Sequence, residues 1–295
     1  MVTDSLWLPR STCDTCCLPA SGSVARVSPI RVAVRGASAL AVVALAAATL
    51  PAILLLTPAG RGRLLRFFAR ALLAAIGVRH ALRGRLPRQG ALIVANHVSW
   101  LDVVVLLAYA PARLLAKREV RSWPVVGALA AAAGTVFVDR FRPRALPGIV
   151  ADVTAALRAG GVVAVFPEGT TWCGRTGGRF RPAMFQAAID AGVPVAPVTL
   201  RFRLAGGAQT TVAAFIGDDT LLASLRRVLS ARDLHVTAQA HPALHPCPGA
   251  SRRTLARAAQ SVVQGPAVSR SWTVDGPVAP ASIDDRDTPE LLTAA

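Results

Sequence analysis

The middle of the chain alternates short apolar runs with longer amphipathic stretches. The runs ALIVA (91–95) and VVAVF (162–166) are apolar at every position, as in strands buried on both faces of a sheet. The stretch 146–161 has the pattern of an amphipathic helix and ends in Gly-Gly, which stops a helix. Strands that alternate with helices predict an α/β domain with a mostly parallel central sheet flanked by helices. Further predicted strands lie at 112–120, 135–140 and 193–202, with 210–217 and 233–244 as candidate extensions.

The two ends of the chain differ from this middle. Residues 1–30 show no periodicity, and the last stretch, from about residue 265, is rich in Pro, Ser and Asp, so both are predicted to be disordered. We therefore divide the chain into a disordered tail (1–30), membrane-associated helices (31–88), the α/β domain (89–250), and a C-terminal helix with a disordered tail (251–295).

An uncharged segment at 36–60 precedes the α/β domain. A helix needs ~20 apolar residues to cross a bilayer, so this segment is long enough, although Pro51 interrupts it. A secretory signal would sit at the very N-terminus, whereas 35 residues precede this segment, so we expect it to be retained. A buried hairpin or a re-entrant helix is the alternative.

The next segment, 61–85, mixes arginine with leucine and phenylalanine. A basic helix with an aromatic-containing apolar side is typical of a membrane interface, and an ordinary domain helix with a solvated face is the alternative. The whole chain combines 53% hydrophobic residues with a formal net charge of +17. An anionic membrane surface as partner explains both values, because each basic residue near lipid headgroups gains roughly 1 kcal/mol. A nucleic acid would explain the charge alone, and no known nucleic-acid module is present, so no such partner is expected.

The five cysteines do not form a convincing framework. Cys13, Cys16 and Cys17 lie in the N-terminal tail, and Cys173 and Cys247 are isolated. The CxxC pair lacks a second ligand pair at metal-binding spacing, so we predict no metal site and a reducing cytosolic setting.

Three polar clusters follow predicted strands. NHVSWLD follows ALIVA, VDR follows TVF, and PEGTT follows VVAVF. In open α/β sheets, ligand-binding and catalytic residues lie just beyond the carboxyl ends of the strands. The three clusters together therefore predict a functional site at one edge of the sheet.

The first cluster contains His97 and Asp102. One interpretation is structural: Ser99-x-x-Asp102 fits a capping box that starts a helix, and His97 is incidental. The other is catalytic, because a carboxylate in the first helical turn can bind one imidazole nitrogen and leave the other to remove a proton from a hydroxyl. Taken alone, HxxxxD is a weak signal.

The second and third clusters carry residues suited to anions. Arg140 and Glu168 would form a salt bridge between neighbouring strand ends in a purely structural interpretation, and Gly169 would make the turn. Functionally, arginine offers a planar fork for phosphate, and a glycine turn exposes backbone N–H groups. A Gly-rich loop follows with three arginines suited to an anionic headgroup, namely Arg175, Arg179 and Arg181.

The four blocks NHVSWLD, GTVFVDR, FPEGTT and VPVAPVTL occur in this order and at this rough spacing. The chain in this respect resembles the bacterial 1-acylglycerol-3-phosphate acyltransferase family. The resemblance implies an acyltransferase domain at 89–250 that moves an acyl group from acyl-CoA or acyl carrier protein to the hydroxyl of a lysolipid, with no cofactor and no metal. It implies His97 as the base and Asp102 as its orienting partner. It assigns binding of the acceptor headgroup to Arg140, Glu168, Gly169, Thr170 and Thr171, together with Arg175 and Arg181 of the loop.

One position departs from the family pattern. Many members with a glycerol phosphate acceptor have arginine after EGT, where this chain has Thr171. The main prediction is 1-acylglycerol-3-phosphate as acceptor, giving phosphatidic acid, with Arg175 or Arg181 compensating. The alternative is a lyso-ornithine lipid or another lysophospholipid, because such relatives can have threonine there. The resemblance also implies the cell inner membrane, with the catalytic domain on the cytoplasmic side.

Two other classes of protein were weighed. A hydrolase would use Ser99 or Cys173 as nucleophile, but the chain has no GxSxG elbow. A non-catalytic lipid-binding membrane protein would keep its membrane association without His97. Both rank below the acyltransferase.

Overall fold

The computed structural model describes residues 9–20, 22–139, 141–247 and 249–265. Seven strands in these ranges form one sheet with the order β1-β7-β6-β2-β5-β3-β4. All neighbouring pairs are parallel except β6 and β7, which confirms the prediction of a mostly parallel sheet. The strands are β1 Arg79–Arg83, β2 Ala91–Ala95, β3 Ala112–Lys117, β4 Val136–Val138, β5 Val162–Val165, β6 Val195–Arg203 and β7 His235–Ala240.

Helices cover both faces of the sheet. They are α1 Pro29–Ala48, α2 Leu50–Leu55, α3 Pro58–Ala75, α4 Leu101–Tyr109, α5 Val126–Ala132, α6 Leu146–Arg158, α7 Ala183–Ala191, α8 Leu221–Ser230 and α9 Arg252–Gln264. One apolar layer joins the sheet to α1, α3, α4 and α8, and the other joins it to α6, α7 and α9. The central strand β2 shows why ALIVA is apolar throughout. Ile93 and Ala95 enter the first layer while Leu92 and Val94 enter the second.

The sheet begins earlier than the predicted boundary at residue 89. Helix α3 ends at Ala75, and the following residues RHALR form β1, which pairs with β7 at the edge of the sheet. Arg79 and Arg83 are exposed while His80 and Leu82 are half-buried. Two of the three exposed side chains of this edge strand are arginines, so its alternating pattern could not be told apart in the sequence from the arginine pattern of the helix before it.

The uncharged segment 36–60 is not a single helix. Helix α1 starts at Pro29 and ends at Ala48, where the Thr49 hydroxyl donates to the Ala46 carbonyl at 2.7 Å. A separate short helix, α2, follows and carries Pro51 at its start. Among the described residues, α1 is the one helix long and apolar enough to cross a membrane.

The predicted disorder of the N-terminal tail does not hold for residues 9–20. Cys13 is buried against the domain, and the stretch after it contains the 3₁₀ turn Thr15–Cys17. Nearer to α1, the N–H of Val27 donates to the Ser230 carbonyl and the N–H of Arg232 to the Ala25 carbonyl, both at 2.9 Å. These contacts join positions far apart in the sequence, so no local sequence pattern predicts them.

Two further predictions concern the C-terminal half. The stretch 233–244 contains β7, as predicted, whereas 210–217 forms turns and no strand. Three consecutive residues there are buried (Val212, Ala213 and Ala214), so the apolar run packs as a buried loop. The predicted C-terminal helix is α9, and the predicted disorder of 266–295 lies outside the described residues.

Candidate active site

His97 and Asp102 form a hydrogen-bonded pair between β2 and α4. The His97 Nδ1 lies 2.9 Å from Oδ2 of Asp102. The same oxygen accepts the backbone N–H of Val98 at 2.6 Å and of Ser99 at 2.7 Å. Asp102 is fully buried, whereas 18% of the His97 side chain is exposed. The carboxylate thus holds the turn and the imidazole together, and Nδ1–H···Oδ2 geometry directs Nε2 away from Asp102.

The start of α4 differs from the predicted capping box. The helix begins at Leu101, after Trp100, and the Ser99 hydroxyl accepts from the Leu101 N–H at 3.3 Å. Asp102 does reach back to the Ser99 N–H, as a capping box requires, but its own N–H donates to the Ser99 carbonyl. Only half of the box forms, because the Ser99 hydroxyl accepts the Leu101 N–H and not the Asp102 N–H, while the Asp102 carboxylate binds both the Ser99 N–H and His97. The capping and catalytic interpretations therefore describe one arrangement.

The loop after β5 holds His97 from two further sides. The Phe166 ring stacks on the imidazole with 4.0 Å between ring centroids and 12° between planes. The backbone N–H of Trp172 donates to the His97 carbonyl at 2.8 Å. Strands β2 and β5 are direct neighbours, so the residues that follow them meet at the same edge of the sheet.

Glu168 is a buried carboxyl beside His97, with 3% of its surface exposed. Its Oε2 accepts the His97 N–H at 2.7 Å, and its Oε1 accepts from the Gly178 N–H at 3.1 Å and from Nε2 of Gln264 at 3.2 Å. Burial raises the pKa of Glu168 to about 8, although these three donors offset part of the effect. Both oxygens are thus occupied by protein donors, and one of them positions the histidine backbone.

The turn that carries Gly169, Thr170 and Thr171 packs against other parts of the protein. Gly169 has a φ of +75°, and a Cβ there would lie 2.8 Å from Cγ of Pro9, so a larger residue would displace the tail. Thr170 is half-buried beside it. The Thr171 hydroxyl donates to the Phe215 carbonyl, which ties this turn to the buried loop at 210–217.

A cavity of about 380 Å³ opens next to Glu168. Arg181, predicted from the sequence, lies in its wall, whereas Arg175 is exposed and does not line it. Arg179, which the sequence also suggested, and Arg10 contribute to the same wall. Arg10 could not be found from the sequence, because it stands in a tail without periodicity. The cavity is therefore rich in guanidinium groups.

The second cluster lies farther from the histidine. Strand β4 ends the sheet, with β3 and β5 between it and β2, which corresponds to about 14 Å at the usual strand spacing. Asp139 forms ion pairs with Arg118 at 3.2 Å and Arg142 at 3.6 Å. Arg140, predicted to bind the headgroup, lies outside the described residues.

Asn96 is a residue of the site that the sequence interpretation passed over. Its Nδ2 donates to the Leu200 carbonyl at 3.0 Å, and its Oδ1 accepts the Leu200 N–H at 2.7 Å. The side-chain amide thereby makes the two hydrogen bonds to β6 that a backbone residue of β2 would make, directly before His97. A polar residue immediately after a fully buried strand was the available signal.

Comparison with known proteins gives the family. The model of the acyltransferase family matches residues 78–201. The lyso-ornithine lipid O-acyltransferase of Pseudomonas aeruginosa is 40% identical over 208 residues, which cover 69% of this chain and 78% of that protein. The 1-acyl-sn-glycerol-3-phosphate acyltransferase of Neisseria meningitidis is 36% identical over 181 residues, covering 61% and 71%.

A solved structure shares the fold. The 1-acyl-sn-glycerophosphate acyltransferase from Thermotoga maritima superimposes with a TM-score of 0.63 at 21% identity, over 80% of this chain and 92% of that one. The fold and the two relatives agree with the resemblance that the four sequence blocks indicated. The chain belongs to the acyltransferase family.

Proposed function

We propose that this acyltransferase moves a fatty acyl group from a thioester to the free hydroxyl of a lysolipid, with His97 as general base. The observation that carries the proposal is the bond between Nδ1 of His97 and the buried Asp102, which presents Nε2 as the proton acceptor. The acceptor hydroxyl gives its proton to Nε2 and its oxygen attacks the thioester carbonyl. The carbon–sulfur bond then breaks, and the leaving thiolate takes the proton from His97. Such base catalysis contributes about 10²–10⁴-fold.

The transfer is direct, without an acyl-enzyme. Ser99 is fully buried, and its hydroxyl oxygen accepts the Leu101 N–H. Cys173 is buried too, and its neighbours are Cys13 and Thr176. Neither side chain has the exposed, base-paired geometry of a nucleophile, which argues against the hydrolase. The co-substrate, acyl-CoA or acyl carrier protein, supplies the activated acyl group, so the reaction itself needs no metal or other cofactor.

The acceptor that the cavity fits best is 1-acylglycerol-3-phosphate, and the product is then phosphatidic acid. Arg10, Arg179 and Arg181 line the cavity together with Glu168, whose Oε2 accepts the His97 backbone N–H, and guanidinium forks suit a phosphate monoester. A lyso-ornithine headgroup carries a carboxylate that these arginines would also bind, but its ammonium group would need a carboxylate partner in the protein. Glu168 is poorly suited to that task, because both of its oxygens already accept protein N–H groups.

A lyso-ornithine lipid is the second candidate acceptor. It is favoured by Thr171, which stands where glycerol phosphate acyltransferases of the family commonly carry arginine. The relative from Pseudomonas aeruginosa, which is named for this acceptor, is also 40% identical.

The membrane surface of the protein lies on its N-terminal helices. Helix α1 exposes the large apolar side chains of Ile30, Val34, Leu40 and Leu45. Helix α3 presents Arg63 and Arg66 beside the exposed ring of Phe67. Apolar and basic groups side by side suit an anionic bilayer. We place the enzyme at the inner membrane with its catalytic domain on the cytoplasmic side, where the acyl donor is soluble.

The test is an acceptor panel with purified full-length protein in detergent. Free thiol release from acyl-CoA or acyl carrier protein is measured with no acceptor, with 1-acylglycerol-3-phosphate, and with lyso-ornithine lipid. We expect release only when a lysolipid is present, fastest with the phosphate acceptor, and its loss in His97→Ala. Faster release with lyso-ornithine lipid would select the second candidate. Acceptor-independent release would point to a hydrolase, and lipid binding without release would point to a non-catalytic protein.

A further inference from the structure

Two cysteines of the N-terminal tail meet a third, about 160 residues away in the sequence, beside the active site. The Sγ atoms of Cys13, Cys17 and Cys173 all lie within 4.8 Å of one another. Cys13 and Cys173 are buried, and Cys17 is half-buried. We propose that these three sulfurs bind one thiophilic divalent cation, with zinc as the natural choice, which holds the N-terminal tail on the catalytic domain.

The tail is folded so that two of its sulfurs face the same point. The Asp14 carboxylate accepts the Cys16 N–H at 2.9 Å and starts a 3₁₀ turn, in which the Cys17 N–H donates to the Asp14 carbonyl at 3.1 Å. This turn places Cys17 beside Cys13 and leaves Cys16 exposed. The sequence interpretation paired Cys13 with Cys16 as a CxxC motif. The structure pairs it with Cys17.

The third sulfur comes from the loop after β5. The Cys173 N–H donates to the Cys13 sulfur at 3.3 Å. The Thr176 hydroxyl lies 3.7 Å from both the Cys13 and Cys173 sulfurs. Donors that point at sulfur are the groups that support a metal-bound thiolate. The surroundings of the cluster are therefore polar at the sulfurs, although Cys13 and Cys173 also belong to the apolar layer.

The spacing suits a tetrahedral ion. With zinc–sulfur bonds of about 2.3 Å, two sulfurs on one zinc ion are about 3.8 Å apart, so the cluster closes with side-chain rotations alone. Three thiolates and one solvent oxygen complete four-coordination. Each thiol loses its proton on binding, and the ion replaces those protons. Soft thiolate ligands select zinc over magnesium or calcium.

The site would act through the wall of the acceptor cavity. The same tail carries Pro9, which covers Gly169, and Arg10, which lines the cavity with Glu168. An ion that joins Cys13 and Cys17 to Cys173 would fix this segment in place. Its role is thus positional, and His97 and Asp102 do not take part in it.

Metal content of the full-length protein tests the proposal without any acyl transfer. The protein is purified in detergent with a phosphine reductant, loaded with zinc, freed of excess metal, and analysed for zinc per chain. We expect one equivalent in the parent protein and a loss of at least tenfold in retained zinc in Cys13→Ser, Cys17→Ser and Cys173→Ser. Cys16→Ser and Cys247→Ser are the matched controls, because both cysteines are exposed, and they should retain the ion.

A second measurement on the unmodified chain guards against variants that fail to fold. Cobalt should replace zinc and give thiolate-to-metal charge-transfer absorption, and bound metal should protect three of the five thiols from alkylation. No retained metal in the parent protein would overturn the proposal, as would equal retention in all five variants. A Cys13–Cys173 disulfide that forms in the metal-loaded protein would overturn it as well. None of these outcomes depends on acyl transfer, so they leave the proposed reaction to its own test.

Discussion

Oδ2 of Asp102 binds Nδ1 of His97 at 2.9 Å, and its other oxygen, Oδ1, is buried with no hydrogen-bond partner among the described residues. The carboxylate therefore uses a single oxygen for three donors, His97 and the N–H groups of Val98 and Ser99. This one-sided arrangement makes the geometry of the pair depend on the charge and on the shape of residue 102.

Replacing Asp102 with Asn should show both dependences. The amide oxygen can keep the two backbone bonds, but the imidazolium that forms during the reaction loses its negative partner, so kcat should fall by about 10²–10⁴-fold. The amide NH₂ would take the buried position of Oδ1, which has no hydrogen-bond partner among the described residues, and burying an unpaired NH₂ should cost about 1–3 kcal/mol in stability. Steady-state kinetics and thermal unfolding measure the two effects. Activity equal to the parent protein would remove Asp102 from the proposed mechanism.

Asn96 should matter for both folding and catalysis, because its amide joins β2 to β6 just before His97. Asn96→Asp keeps an acceptor for the Leu200 N–H but sets a carboxylate oxygen against the Leu200 carbonyl. We expect it to lower stability by about 1–3 kcal/mol, at least as much as Asn96→Ala, and both variants to lower kcat. Thermal unfolding and thiol release are the measurements. An Asp variant as stable and active as the parent protein would show that the amide does not position the histidine.

Particular residues show how far the sequence predicts this molecule. ALIVA and VVAVF are recognisable as central strands because every position is apolar, and β2 and β5 are indeed buried throughout. Their two polar clusters meet because β2 and β5 are neighbours. The VDR cluster does not join them, because strand order is set by tertiary packing and not by local pattern. The sequence also could not predict the contacts that Arg10, Cys13 and Cys17 make with the loop after β5, for a related reason. They join residues about 160 positions apart through a segment without periodicity.

The stability of the protein should depend on pH through Glu168. Its folded pKa is raised to about 8 from an ordinary value of 4.5, so the folded state binds the proton more tightly than the unfolded state. The favourable contribution is fully present below about pH 4.5 and is lost as pH rises toward 8. Thermal unfolding should therefore show a midpoint that falls across this window.

Glu168→Gln isolates this contribution. Burial lowers the pKa of His80 and of His241, so the stability that these two groups contribute falls as the pH drops below about 6.5, opposite to the trend for Glu168. Only the difference in stability between parent and variant therefore reports on Glu168. That difference should change steadily from pH 5 to 8. A difference that does not vary with pH would mean that Glu168 titrates at its ordinary value.

Reversing two charges on α3 should weaken the response to anionic lipid. Arg63→Glu/Arg66→Glu leaves Arg70 intact, since Arg70 donates to the Ala108 carbonyl and has a structural task. In mixed micelles, phosphatidylglycerol should activate the parent protein more than phosphatidylcholine does, and the double variant should lose about tenfold or more of that activation. Arg252→Glu/Arg253→Glu changes the charge equally at the start of α9, on the other face of the sheet. An equal loss there would indicate a general effect of net charge.

Arg181 and Arg175 provide a matched pair for the acceptor site. Both are exposed arginines of the same loop, but Arg181 lines the cavity beside Glu168 and Arg175 does not. Removing a charge-assisted hydrogen bond to phosphate costs about 1.5–3 kcal/mol. Arg181→Ala should therefore raise KM for 1-acylglycerol-3-phosphate by about tenfold or more. Its kcat should change little, because the His97–Asp102 pair is untouched. Arg175→Ala should change KM by less than about twofold, because Arg175 does not line the cavity and an exposed charge outside it is screened by salt. The measurement is thiol release over a range of acceptor concentrations at fixed donor concentration, with KM for the acyl donor as an internal check that should stay constant. Equal effects of the two substitutions would show that the cavity does not hold the headgroup, and a larger effect of Arg175→Ala would move the headgroup to the outer part of the loop.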